Sequence, residues 1–267
     1  MTRRVIVLAL GLFPALGGAP GLAVRPAEAF HESTVHVEAG VWFPSLEIEV
    51  RSSREGLTGD LVTEKDLNIE DPDYVLQGAL TFRIAKRHTI RAEGFGFSVE
   101  GDGPLNRTFT FDGDTFPVST RVTSEADVAF FGGDYGFDLV HNEVVALNLT
   151  LGARVVTGDA SIRAPSLTLE GSGELTTAMP AVGLGVILHP LPAVPLLGSL
   201  ALSARVAGGT IGDEGSFIDA EGGLEWLPIP VLALRIGYRY FWGKGEKDRD
   251  EAEVTLTGPY VSATLTF

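Results

Sequence analysis

The sequence predicts an all-β chain: a transmembrane antiparallel β-barrel of about ten strands, its apolar face turned outward to lipid. Three observations carry that expectation. Apolar residues recur at every second position over long segments. The chain is 45% apolar, yet beyond its first residues no run approaches the roughly 18 consecutive apolar residues of a membrane helix. It also contains no cysteine, so an exported chain cannot rest on a disulfide framework and must close its structure another way.

The start of the chain reads as an export signal. Arg3 and Arg4 precede a nearly uninterrupted apolar run from Val5 to Gly18, and Ala27-Glu28-Ala29 has the small-x-small form of a cleavage site. Residues 1–29 are therefore expected to be a signal peptide, with the mature domain over 30–267. Cleavage removes Arg3, Arg4, Arg25 and Glu28, taking the formal charge from −15 to −17. So acidic a chain repels nucleic acid, and that class of partner is excluded. Thiolate metal sites and cysteine nucleophiles are excluded with it.

From residue 33 the alternation sets in. Val145, Leu147, Leu149, Leu151, Ala153 and Val155 alternate with Ala146, Asn148, Thr150, Gly152 and Arg154. Leu232, Leu234, Ile236, Tyr238, Tyr240 and Trp242 alternate with Ala233, Arg235, Gly237 and Arg239. Each segment has one apolar face and one small or charged face. Most run far beyond the usual strand of about 5–6 residues, and the small and charged residues suit a narrow, hydrated interior. Strands are expected near 33–52, 74–86, 89–112, 115–140, 143–163, 167–189, 197–211, 216–227, 231–245 and 251–267. That makes ten, although eight or twelve fit the same pattern with other boundaries. An even count places both termini at one end, with turns at Lys86–His88, Val140–Asn142, Pro190–Pro195 and Pro228–Pro230. The alternation changes parity after Pro44 and again at Pro259. A bulge at Pro44-Ser45 is expected to repair the first, because proline donates nothing to the ladder.

The last segment, Tyr260-Val-Ser-Ala-Thr-Leu-Thr-Phe267, alternates and closes on an aromatic residue. It resembles the terminal strand of Gram-negative outer-membrane β-barrel proteins. The whole mature chain is similar in plan to small barrels such as the OmpA membrane domain or OmpW-like proteins. The resemblance implies location in the cell outer membrane and contact with its lipids and lipopolysaccharide. It also implies recognition of Tyr260 and Phe267 by the barrel assembly machinery, and it carries over no catalytic residue. No soluble peptidoglycan-binding domain follows the barrel, so cell-wall anchoring by that route is not expected. A monomer is expected.

The sharpest constellation is a charge cluster on the polar face. Asp219, Glu221 and Glu225 share one face of the eighth strand, Arg235 and Arg239 lie on the ninth, and Arg205 on the seventh. Opposite charges on adjacent strands pair across the ladder. They would either plug the lumen or line a selective pore. Enzymatic barrels set a histidine near the outer rim, but His31, His36, His88, His141 and His189 all fall at the opposite end, with no ligand spacing. The outer links are acidic, with Glu55, Asp60, Glu64, Asp66, Glu70, Asp71 and Asp73 in the longest, and Asp112, Asp114, Asp248, Asp250 and Glu251 beyond it. These read as solvated surface rather than a calcium loop. Tyr238, Tyr240, Trp242, Trp226, Tyr135 and Phe137 read as interfacial girdles. The expectation is a non-enzymatic barrel without metal or cofactor, structural or a narrow passive channel. A hydrolase of lipid or peptide and a surface adhesin are the alternatives.

Overall fold

The computed structural model describes residues 34–51, 60–111, 113–190, 199–212, 214–247 and 250–267. The signal-peptide reading of 1–29 lies outside them, as do His31, Glu55, Asp112 and Asp248. The strands, in chain order, are β1 (Val35–Trp42), β2 (Ser45–Arg51), β3 (Val62–Thr63), β4 (Val75–Ala85), β5 (His88–Pro104), β6 (Phe109–Phe111) and β7 (Asp114–Phe116). They continue with β8 (Arg121–His141), β9 (Val145–Ala164), β10 (Leu169–Leu188), β11 (Leu200–Thr210), β12 (Gly215–Ile229), β13 (Leu232–Lys247) and β14 (Asp250–Thr266). All but β6 and β7 belong to one sheet, which closes where β1 pairs with β14. β1 and β2 are one strand interrupted at Phe43-Pro44, and β3 is a two-residue addition to β2. The wall therefore has ten antiparallel staves, as the alternation predicts.

One end carries the short turns and both ends of the described chain, where the Thr34 amide donates to the Phe267 carbonyl at 3.0 Å. Asn142 shapes one of these turns, its Oδ1 accepting from the Val144 and Val145 amides at 2.9 Å each. The opposite, loop end holds residues 60–74 and 105–120. The second of these was expected to continue two wall strands; instead it forms the separate hairpin β6–β7, turned at Gly113 with φ 81°. The two loops are tied together. Arg107 donates to both carboxylate oxygens of Asp66, at 3.1 and 3.0 Å, and the Thr110 amide donates to Asp60 at 2.7 Å.

The expected bulge at Pro44-Ser45 is absent. The β1–β14 register runs to Trp42↔Tyr260 and resumes without a slip at Ser45↔Thr257 in β2. The Phe43 amide, which faces β14, still finds the Pro259 carbonyl at 3.0 Å. β14 likewise keeps one register against β13 through Pro259. What changes is the chemistry of each face, not its direction. Along β5, Thr89, Arg91 and Glu93 point inward in the turn half, and Phe95, Phe97 and Val99 continue the same inward row in the loop half. The outward row exchanges Ile90 and Ala92 for Ser98, Glu100 and Asp102. β8 repeats the exchange, from Phe131 and Tyr135 outside to Glu125 and Asp127. The turn half is thus apolar outside and polar inside; the loop half is the reverse. The interior is polar, as expected, only in the first.

Most of the wall is a continuous hydrogen-bonded ladder, with one low stretch. β11 pairs with β10 only over Val182–Leu188. The Pro180 carbonyl points at Gly209, so the N–H that proline lacks falls on the β11 side and the ladder cannot climb past it. Above that level Leu175 and Thr177 of β10 reach across to Gly245 and Gly215, so the seam is closed by side chains rather than by backbone.

Candidate functional site

The six residues of the charge cluster form three ion pairs between adjacent strands, all in the lumen. Arg239 holds Asp219 in a two-pronged contact at 2.9 and 2.8 Å. Arg235 meets Glu225 at 2.8 Å, and Arg205 meets Glu221 at 3.2 Å. The structure adds residues that the sequence did not single out as partners. Glu93 on β5 reaches across the barrel to Arg205 at 2.8 Å and to Arg154 at 3.0 Å, while holding Arg91 beside it at 3.1 Å. Arg154 grips Asp134 with two bonds of 2.7 Å and is 0% exposed. Glu38 on β1 accepts from Arg91 at 3.2 Å and from Ser262 at 3.0 Å, and Gln77 accepts from Arg239 at 2.7 Å.

The result is one mid-barrel layer of arginines 91, 154, 205, 235 and 239 with carboxylates 38, 93, 134, 219, 221 and 225. Planar guanidinium forks suit such crossed contacts, because each can serve two carboxylates at once. The space left within the layer is about 10 Å³, hardly a single water.

A second layer lies directly on the first. Phe95 stacks on Phe130 at 4.8 Å between centroids, and Phe241 meets both edge-on at 5.3 and 5.2 Å. Trp42 and Phe217 complete the layer against Phe95 and Phe130. The two layers are bonded to each other: the Arg239 guanidinium sits 4.9 Å from the Phe95 ring and 5.2 Å from Trp42, and Arg154 lies 5.9 Å from Phe130 and from Phe217. Tyr260, read as part of the terminal signal, also faces the lumen and is buried. Phe267 stands on the opposite, outward face of β14, 71% exposed.

Two spaces flank this double plug. On the turn side a vestibule of about 220 Å³ has Arg83, Asp138, His141 and Asn148 beside Val186 and Ile187 in its lining, with Asp138 held by Arg83 at 2.9 Å and by Asn148 at 2.7 Å. On the loop side lies an apolar cavity of about 100 Å³.

His36, His88, His141 and His189 all sit at the turn end, His88 paired with the Tyr135 hydroxyl. Outside, on the loop half, Asp127, Asp159 and Glu174 stand directly opposite one another across three strands, with the Ser98 hydroxyl donating to Asp127. Among the described residues no group of three or more histidines and carboxylates is arranged to hold a metal ion. Tyr135, Trp226, Tyr238 and Tyr240 face outward and exposed, as the girdle reading requires.

No protein-family model matches the chain. Its fold is similar to that of the outer-membrane protease OmpT of Escherichia coli, with a TM-score of 0.50, 9% identity, and 88% of this chain and 97% of that one covered. Other solved structures found are the attachment invasion locus protein Ail of Yersinia pestis (TM-score 0.36, 12% identity, 86% and 99% covered) and the toluene transporter TodX of Pseudomonas putida (TM-score 0.37, 9% identity, 91% and 92% covered). The chain has the fold of the outer-membrane β-barrels. At such identity, likeness speaks for the fold alone.

Proposed function

We propose that the protein is a non-conducting, non-enzymatic barrel of the bacterial outer membrane, with its loop end outside the cell. The observation that carries this reading is the double plug. A hydrated ion would have to break the buried arginine–carboxylate layer and then displace five packed aromatic rings, and a filled ten-strand interior leaves no way around them. The exposed apolar belt of Leu76, Ile90, Phe131, Leu151, Val182 and Ile236 meets lipid. The acidic loop half stands among lipopolysaccharide headgroups. Val261, Ala263, Leu265 and Phe267 form the outward face offered to the assembly machinery. The non-enzymatic part rests on the location of the described histidines, all at the end away from the outer leaflet.

Purified protein in planar bilayers tests the plug. The expected result is no unitary current from protein whose folding is verified by its faster gel migration unboiled than boiled. Reproducible single-channel steps from that same material would refute it.

A further inference from the structure

The loop half of the barrel holds a space that the fold does not need. Its floor is Phe241 and Met179, its roof is Phe111 of the β6–β7 hairpin, and Val156 and Val254 stand in its walls. The charged residues around it, Arg51, Asp127, Asp159, Glu174, Lys244 and Glu251, occupy outward positions of their strands, and Glu251 pairs with Arg51 and Lys244 there. The inward-facing Thr177 hydroxyl is too little to hold water, which needs two to four polar partners, and an apolar cavity without them stays dry.

The cavity exists because of two glycines. A Cβ on Gly158 would come no nearer than 3.9 Å to any atom, and one on Gly173 no nearer than 4.0 Å, where the atom met is Phe111 Cζ. Neither backbone has a positive φ. Nothing in the backbone asks for glycine at either position, and in mid-strand glycine weakens the ladder. What their hydrogens leave open is the cavity. Beside it the wall between β10 and the loop ends of β12 and β13 is closed by side chains, Leu175, Thr177 and Met179 against Gly245 and Gly215. Passage through the wall at that seam needs only side-chain rotation, whereas elsewhere in the wall strand hydrogen bonds would have to break.

We propose that this cavity is a binding site for a small, uncharged, apolar molecule without hydrogen-bonding groups. Its 100 Å³ is of the order of the engineered cavity of about 150 Å³ that takes up benzene or xenon. The site lies on the loop side of the double plug, with Phe241 common to both, and goes beyond the non-conducting reading: current and ligand uptake are read separately, and either result stands without the other.

The chain supplies its own reporter. Its two methionines are Met1 and Met179, and Met179 lies in the cavity floor, so a 13C-methyl methionine label gives one signal from the site. With folded protein in lipid nanodiscs, benzene is expected to shift the Met179 methyl resonance saturably, and xenon to shift the same signal. Gly173→Val and, separately, Gly158→Val fill the space, and each should weaken the apparent benzene affinity at least tenfold while keeping the unboiled gel mobility. Two variants guard against one that fails to fold. Absence of a saturable shift in folded native protein overturns the proposal, as does an equal shift in folded, filled variants, which would place the probe in the surrounding lipid.

Discussion

Arg154→Met removes the most deeply buried charge of the plug. Arg154 supplies two side-chain bonds to Asp134, at 2.7 Å each, while its other carboxylate partner, Glu93, keeps Arg91 and Arg205 at 3.1 and 2.8 Å. The substitution therefore isolates Asp134 rather than Glu93. Breaking a buried pair from one side costs about 3–5 kcal/mol, because the remaining charge has lost its solvation and its partner. Loss of the contacts with the Phe130 and Phe217 rings, at 5.9 Å each, adds about 0.5–1 kcal/mol. The expected cost is thus about 4–6 kcal/mol, read as a lower urea midpoint for unfolding from lipid vesicles followed by tryptophan fluorescence. The double variant Arg154→Met/Asp134→Leu puts apolar volume where both charges were and should recover most of the loss, since such replacements are often close to neutral. A single-variant cost under about 1 kcal/mol would mean that the layer is hydrated and the plug reasoning wrong.

Other perturbations have defined outcomes. Gly173→Val should stabilise the barrel by about 1 kcal/mol in the same unfolding assay, because closing a cavity of about 100 Å³ at ~24 cal/mol per Å³ is worth at most about 2 kcal/mol; destabilisation would mean the wall cannot accept a side chain there. Phe130→Ala should cost about 3–5 kcal/mol yet pass no current in planar bilayers, since the arginine layer beneath remains whole. Partial burial would raise the Asp66 carboxyl, but the Arg107 hydrogen bond and the Thr63 amide outweigh it and hold the group below the ordinary aspartate range. The tie it makes is therefore complete above the unfolded value of about 3.9 and is lost as pH falls below it. Pepsin cleavage within 60–74 should accordingly rise over that interval relative to Asp66→Asn, and a constant ratio between the two proteins would discount the tie.

Period-two alternation made the staves legible, because it survives any error in boundaries, and the cluster that forms the pairs Arg205–Glu221, Arg235–Glu225 and Arg239–Asp219 was legible because its strands are neighbours, though not which residue would meet which. Glu93 was not. Its partners Arg154 and Arg205 lie on β9 and β11, and a contact across a lumen leaves no mark in the spacing of either strand. Arg154 was visible as a lone charge in an apolar segment, a sign that it points inward, but nothing local named Asp134. The apparent parity changes at Pro44 and Pro259 misled for a related reason. Alternation shows which residues share a face, not what that face touches. Leu46 and Ile48 keep the inward direction of Glu38 and Trp42 in an interior that has turned from charged to apolar.

On the proposed placement in the membrane, that exchange of faces also sets how deep the molecule sits. A barrel apolar along its whole outer height could slide along the membrane normal with little change in energy. Here, sinking would draw Glu47, Glu100, Glu125 and Asp127 into hydrocarbon, and rising would lift Leu76, Phe131 and Tyr238 into water at about 25 cal/mol for each Å² of apolar surface. Sinking is opposed by the acidic outer rows of β2, β5, β8, β9 and β10, and rising by the apolar belt. On that placement the protein carries its own waterline, written into several neighbouring strands at a common level, and that line sets the height of the loop-side cavity above the bilayer.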